Sequence, residues 1–201
     1  MINWQQRLQQ FQKHTLSYKK TTYDHIIQAF KQLVMMHDVD KLTVAQISEA
    51  ANISRKTFYA YFQDKNDVME HIIYIDIIEP MEKMRALSQS FQMPSLTIMS
   101  WLYEQFYHER DFYRRINSFI GQNSFTDFML SYTTSIVAHK FSELVISDAE
   151  KEYSVYFYAA SHTMVLSKWI NDGMKVPPSD MASFYENWTI PAIVTYVKRN
   201  T

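Results

Sequence analysis

The chain contains no cysteine. Disulfides, zinc-thiolate centres and a thiol nucleophile are thereby excluded, and the composition suits a reducing compartment. Two glycines and five prolines in 201 residues leave no glycine-rich phosphate loop and too few turn formers for a hairpin-rich or Rossmann-like sheet. No uninterrupted apolar run reaches about 18 residues, and no basic segment leads into an apolar core at the start, so neither a membrane span nor a signal sequence is expected. A soluble, cytoplasmic protein is the expectation. Of the seven histidines, His71, His108, His139 and His162 would have to converge to hold a metal, and they are scattered without HxxxH spacing, so no metal site and no cofactor are expected.

An excess of charge of one sign is also lacking, since the formal net charge is -1. The distribution is uneven, however. Residues 1–70 hold 9 basic and 7 acidic side chains, whereas residues 71–201 hold 11 and 14. Within residues 1–20, Arg7, Lys13, Lys19 and Lys20 face no acid at all. Local cationic surface of this kind steers a protein toward a polyanion even when the whole chain is neutral.

What the sequence has in quantity is helical periodicity. Residues 21–37 place Ile26, Phe30 and Leu33 on one face after Thr22, and the pattern fades through Met35 and Met36 near His37 to Asp40. The next segment, Thr43 to Asp67, is the most informative. Thr43 stands three residues before Gln46, the spacing of a capping box, so a short helix begins at Val44 with Val44, Ile47 and Ala51 on one side. Asn52 falls where the chain turns sharply, and Asn tolerates the left-handed conformation less readily than Gly. Ser54 caps the following helix, where Phe58 and Phe62 are core candidates while Arg55, Lys56 and Tyr59 form a cationic and phenolic face. Asp64 caps a third helix that carries Lys65 in its first turn. Two helices at such spacing, the second bearing cations near its start, are what reading base edges and gripping phosphates requires.

This segment resembles the DNA-binding domain of TetR-type transcriptional regulators at Thr43, Ile47, Ala51, Ile53, Ser54, Thr57, Phe58, Tyr59, Tyr61, Phe62 and Lys65. Ser48, where the family usually has Ala, and Asn52, where it usually has Gly, are the departures. The resemblance implies DNA-facing roles for Thr43, Arg55, Thr57, Tyr59, Tyr61 and Lys65, with Arg55 and Tyr59 nearest the bases and the others mainly on phosphate, and Lys56, next to Arg55 in the first turn, is a further candidate on the same face. Lys65 is expected to act as a phosphate clamp. It also implies an all-α fold: a three-helix helix-turn-helix domain at 21–78 and a helical ligand-binding and dimerisation domain at 79–201. Residues 1–20 form an extension in which Trp4, Leu8 and Phe11 lie at i, i+4 and i+7. Such a segment either docks on the protein, stays partly disordered, or reaches a neighbouring minor groove.

Beyond Asp67 the stripe Val68, Ile72 and Ile75 runs to Ile78, and Pro80 is expected to interrupt or close that helix. Further helical blocks are expected at roughly 81–92, 96–107, 109–120, 125–145, 149–171 and 181–198. Residues 99–132 are dense in aromatics, the make-up of a small-molecule pocket with phenolic handles. Most are packing residues. Tyr103, Tyr107, Phe128, Tyr132 and His162 are the candidates for contacting a small apolar or aromatic effector. The last two helices, which include Val165, Trp169, Trp188 and Val194, are apolar enough to require a partner surface. Regulators that this chain resembles pair these helices across a two-fold axis. The expected function is a homodimeric, ligand-responsive repressor on a palindromic double-stranded operator. The rivals are an activator or a DNA-associated adaptor controlled by a protein partner, and a helical enzyme that has kept a DNA-binding domain.

Overall fold

The structure is a computed structural model and describes residues 4–17, 20–91, 95–119, 124–142 and 144–188. Among these residues all regular structure is helical: α1 (Trp4–Ser17), α2 (Lys20–Met36), a 3-10 turn (Val39–Lys41), α3 (Val44–Ala50), α4 (Arg55–Tyr59), α5 (Lys65–Ile73), a π turn (Tyr74–Ile78), α6 (Glu79–Phe91), α7 (Ser95–His108), α8 (Arg110–Asn117), α9 (Phe125–Phe141), α10 (Asp148–Asn171) and α11 (Pro178–Trp188). The chain forms two compact units. One comprises Met1–Pro80 together with Asp111–Phe125, the other Met81–Arg110 and Thr126–Thr201. Residues 111–125 thus lie with the N-terminal unit, whereas the sequence expectation divides the chain contiguously.

In the first unit the expected apolar face of α2 is the core. Ile26 and Phe30 are fully buried with Val34, and Ile47, Phe58, Phe62, Val68 and Ile72 join them. Each such side chain contributes about 1.5–3 kcal/mol of transfer free energy. The N-terminal extension docks on the protein: Trp4 and Phe11 are buried, and the Phe11 ring stacks on Tyr74 and meets His71 edge-on, both at 4.7 Å between centroids. Arg7 pairs with the buried Glu70 carboxylate and lies over the rings of Trp4 and Phe11. Burial pushes the Glu70 carboxyl up, and the Arg7 charge opposes that shift. Over Asp111–Phe125 the chain returns to this unit, where Phe112 lies 5.4 Å under the Lys31 ammonium.

Pro80 does not close the helix. Instead the backbone widens before it: the Glu79 N–H bonds to the Tyr74 carbonyl, five residues back. The widened turn absorbs the steric conflict between a proline ring and the preceding helical turn, and α6 resumes with Pro80 in its first turn, where the missing N–H costs least.

In the second unit α7 and α11 pack along one another, and Val137, Phe141, Leu144, Val155 and Ala159 form a cluster between α9 and α10. Ser147 caps α10 through the Glu150 amide, at the expected capping position. The helix ends in a paired back-bonded cap, with Gly173 N–H on the Ile170 carbonyl and Met174 N–H on the Trp169 carbonyl. That geometry requires positive φ at Gly173, 82°, and Met174 after it also has positive φ, 54°.

Candidate nucleic-acid interface and effector cluster

The reader helix α4 is short, and its placement depends on caps. Thr43 forms the full capping box: its hydroxyl accepts from the Gln46 amide at 3.3 Å and its own amide donates to Gln46 Oε1 at 3.0 Å. At the far end of α3, Asn52 adopts φ 53°, while the Asn52 and Ile53 amides bond back to the Glu49 and Ser48 carbonyls. This is the helix-ending geometry usually given to glycine. Ser48 is buried, and its hydroxyl donates to the Val44 carbonyl at 2.8 Å. The departure from Ala at that position therefore leaves no unmet polar group. Ser54 then caps α4 through the Thr57 amide at 3.0 Å.

These caps divide the side chains of α4 and of the turn that follows it. Phe58 and Phe62 are buried, whereas Arg55, Lys56 and Tyr59 are exposed. Neither Arg55 nor Lys56 has an ion pair or hydrogen bond among the described residues. Thr43 is exposed, though its hydroxyl also donates to Gln46 Oε1. Thr57 and Tyr61 are half-buried, and the Thr57 hydroxyl shares a hydrogen bond with Ser54.

Lys65 departs from the expected phosphate clamp. Its ammonium donates to the carbonyls of Val39 at 2.7 Å, Asp40 at 2.7 Å and Leu42 at 3.0 Å. An ammonium has three donors, so all are directed at protein. Phe119 lies 5.9 Å from the same group. Desolvation draws its pKa down, partly opposed by Asp40 and Asp64. Lys65 thus ties the start of α5 to the segment that leads into Thr43.

Sequence reasoning missed the polar network beneath this surface. The Tyr23 hydroxyl is 2.9 Å from Nδ1 of buried His71, whose Nε2 lies 3.6 Å from Asp67. Phe62 packs edge-on against the same imidazole. Only the i, i+4 spacing of Asp67 and His71 hinted at it.

In the second unit the effector candidates divide. Tyr103 is buried with its ring edge-on to Trp169 at 5.3 Å, and His162 meets Tyr185 at 4.7 Å. Tyr103 and His162 share a neighbourhood, because Tyr185 also reaches Tyr103 electrostatically. Tyr132 belongs to a different group: it donates to Glu82 at 2.5 Å, and Arg85 pairs with that carboxylate. Phe128 is buried, and Tyr107 is partly exposed beside Arg110. Of the partner-surface candidates, Val165 is exposed, but Trp169 is core. Its indole N–H donates to the Val176 carbonyl at 2.9 Å, which holds the ring inside its own protomer. The side chain of Trp188 and all of Val194 lie outside the described residues. Among the described residues no group of histidine and carboxylate side chains is arranged to hold a metal, and no helix is long and apolar enough to cross a membrane.

A capped helix pair with an exposed cationic and phenolic second helix, carried on a helical chain with a separate second unit, defines a helix-turn-helix DNA-binding regulator. The family comparisons agree. The model for bacterial regulatory proteins of the tetR family matches residues 26–72, and the model for a transcriptional regulator C-terminal region matches residues 96–189. The chain belongs to the TetR family of transcriptional regulators. It is 27% identical over 154 residues to the HTH-type dhaKLM operon transcriptional activator DhaS of Lactococcus lactis subsp. lactis (strain IL1403), covering 73% of this chain and 79% of that protein. Two solved structures share the fold. A dihydroxyacetone kinase operon activator DhaS superposes with a TM-score of 0.56 at 21% identity, covering 89% of this chain and 97% of that one. The fatty acid degradation regulator FadR from Bacillus halodurans gives 0.52 at 15%, covering 81% and 91%.

Proposed function

We propose that two copies of this chain bind a palindromic operator in the cytoplasm, and that a small apolar or aromatic effector held by the second unit sets their affinity for it. The observation that carries the DNA contact is the exposure of Arg55, Lys56 and Tyr59 over the buried Phe58 and Phe62. Arg55 and Tyr59 read base edges; Thr43, Lys56, Thr57 and Tyr61 hold phosphates. Lys65 supports the same surface through the Leu42 carbonyl. The partner-facing surface is an exposed apolar row on α10, Tyr153, Phe157 and Met164, with Tyr156 and Val165 beside it and Phe184 on α11. A two-fold axis through that surface places one reader on each half-site. The effector acts through its differential affinity for the operator-bound and free shapes. The role is regulatory, with no reaction assigned to the chain.

The test is to select operator DNA from a random duplex pool with the full-length protein and then measure binding by fluorescence anisotropy. Arg55→Ala and Tyr59→Ala each cost about 1–3 kcal/mol on the selected site and relax its sequence preference. Retention of cognate affinity by both variants refutes the assigned reading face. Repression relieved by the effector is the first reading of the outcome. Activation is the second, favoured by the role of the Lactococcus lactis relative as an operon activator. A reporter fused to the operator separates them, since loss of the protein raises expression in the first case and lowers it in the second.

A further inference from the structure

In the second unit, two polar atoms on consecutive residues of α10, His162 Nε2 and Thr163 Oγ1, are buried without a hydrogen-bond partner. Hydroxyls elsewhere on α9 and α10 use their own helix: Thr134 donates to the Leu130 carbonyl, Ser135 to Tyr132 and Ser161 to Tyr158. Thr163 has the same opportunity at the carbonyl four residues back and does not take it. A buried polar atom left in this state weakens the fold until something completes it. Aromatic rings begin at the imidazole, where Tyr185 lies and in turn reaches Tyr103 electrostatically. Tyr185 of α11 meets the imidazole edge-on at 70° between planes, and Tyr103 of α7 stands at 90° to Trp169. The Trp169 indole is itself satisfied at the Val176 carbonyl.

We propose that Thr163, His162, Tyr185 and Tyr103 form the polar wall of a subsite for a neutral, flat, ring-bearing ligand with one or two hydroxyl or carbonyl groups. The proposal rests on the reading of the second unit as an effector sensor and names the chemistry of what it senses. Every group on the wall is uncharged at neutral pH. Burial draws the His162 pKa down to about 4, so the imidazole presents one donor and one acceptor. Burial pushes the Tyr103 and Tyr185 phenols up, which keeps their protons in place. The Glu186 carboxylate reaches Tyr185 and disfavours an anionic guest. A charged ligand enters such a wall unpaired, whereas a neutral hydroxyl both donates to His162 and accepts from Thr163 or Tyr185. The edge-on rings supply apolar faces for its ring. Because Tyr185 covers the imidazole, its side chain turns aside when the ligand enters.

Calorimetric titration of the full-length protein with catechol, benzoate and toluene tests this, alongside the variants Thr163→Val and Tyr185→Phe. Catechol is expected to bind at least about tenfold more tightly than benzoate or toluene, and each variant to weaken it about fivefold. In the absence of ligand, Thr163→Val should raise Tm by a few degrees, because the methyl removes a hydroxyl that has no partner. A lowered Tm for Thr163→Val, or catechol binding indifferent to both variants, overturns the proposal. Anisotropy on the selected operator separates this from the sensor reading. Catechol binding that is sensitive to Thr163→Val but leaves operator affinity unchanged supports the subsite and rejects the sensor. Operator release by benzoate or toluene without catechol binding does the reverse.

Discussion

Replacing Lys65 by Met keeps the aliphatic stem and removes the three donors that hold Val39, Asp40 and Leu42. Charge-assisted bonds of this kind are individually worth about 1.5–3 kcal/mol, but the sum is smaller here. The Asp40 contact is exposed and its carbonyl turns to water when released, and the ammonium recovers hydration that burial had removed. A net loss of about 2 kcal/mol is a reasonable figure, equivalent to a fall of roughly 4–8 °C in Tm for a chain of this size. Operator affinity falls with it, because the segment freed is the one that enters the Thr43 capping box. The slope of log affinity against log salt stays unchanged, since no phosphate contact is lost. Thermal circular dichroism and anisotropy at four salt concentrations measure both quantities. An unchanged Tm with a slope smaller by about one would refute the staple and restore Lys65 as a phosphate ligand.

Four further outcomes follow from other contacts. At Asn52, with φ 53°, Ala should cost about 1 kcal/mol while Gly stays within about 0.5 kcal/mol of the parent, read from chemical denaturation. Phe11→Ala empties the seat against Tyr74 and His71 and should cost about 3 kcal/mol, with amide exchange rising across α1 before anywhere else; uniform exchange would argue that α1 is not a docked element. Phe157→Glu places a charge in the exposed row of α10 and should shift sedimentation velocity from dimer toward the 24.0 kDa monomer. For His162 the folded pKa of about 4 lies below the ordinary 6.5. Its contribution is full above pH 6.5 and is lost as pH falls toward 4, because the unfolded chain binds the proton first. The total is up to about 3 kcal/mol, and His162→Phe should flatten that part of the acid limb relative to the parent.

The reader was legible in the sequence because its signals are local. Capping spacings at Thr43, Ser54 and Asp64, and the alternation of Phe58 and Phe62 with charged neighbours, are set within a few residues and survive any tertiary context. What distant partners decide was not legible. Lys65 reads identically whether its ammonium meets a phosphate or three carbonyls more than twenty residues away. Trp169 looks like an interface residue until Val176 is seen to hold its indole. The continuation of the helix through Pro80 depended on a one-residue widening that no spacing announces. In the second unit, Tyr103 and Tyr132 are equivalent in sequence, and only packing separates the first, beside Trp169, from the second, bonded to Glu82.

The DNA-reading unit is assembled from two stretches, Met1–Pro80 and Asp111–Phe125, with thirty residues of the other unit between them. Phe112 beside Lys31 and Phe119 beside Lys65 are among the contacts that join the stretches. During synthesis the chain emerges from its N-terminus, so the helix-turn-helix can form its local turns early yet lacks those two aromatic partners until residue 119 has been made. Were the intervening residues a free loop, closing it would cost about 3 kcal/mol. In the finished chain, folding them into the second unit removes that freedom. Neither unit can be released by a single cut, and a fragment ending at Pro80 carries the reading face without the part of its scaffold that is translated last.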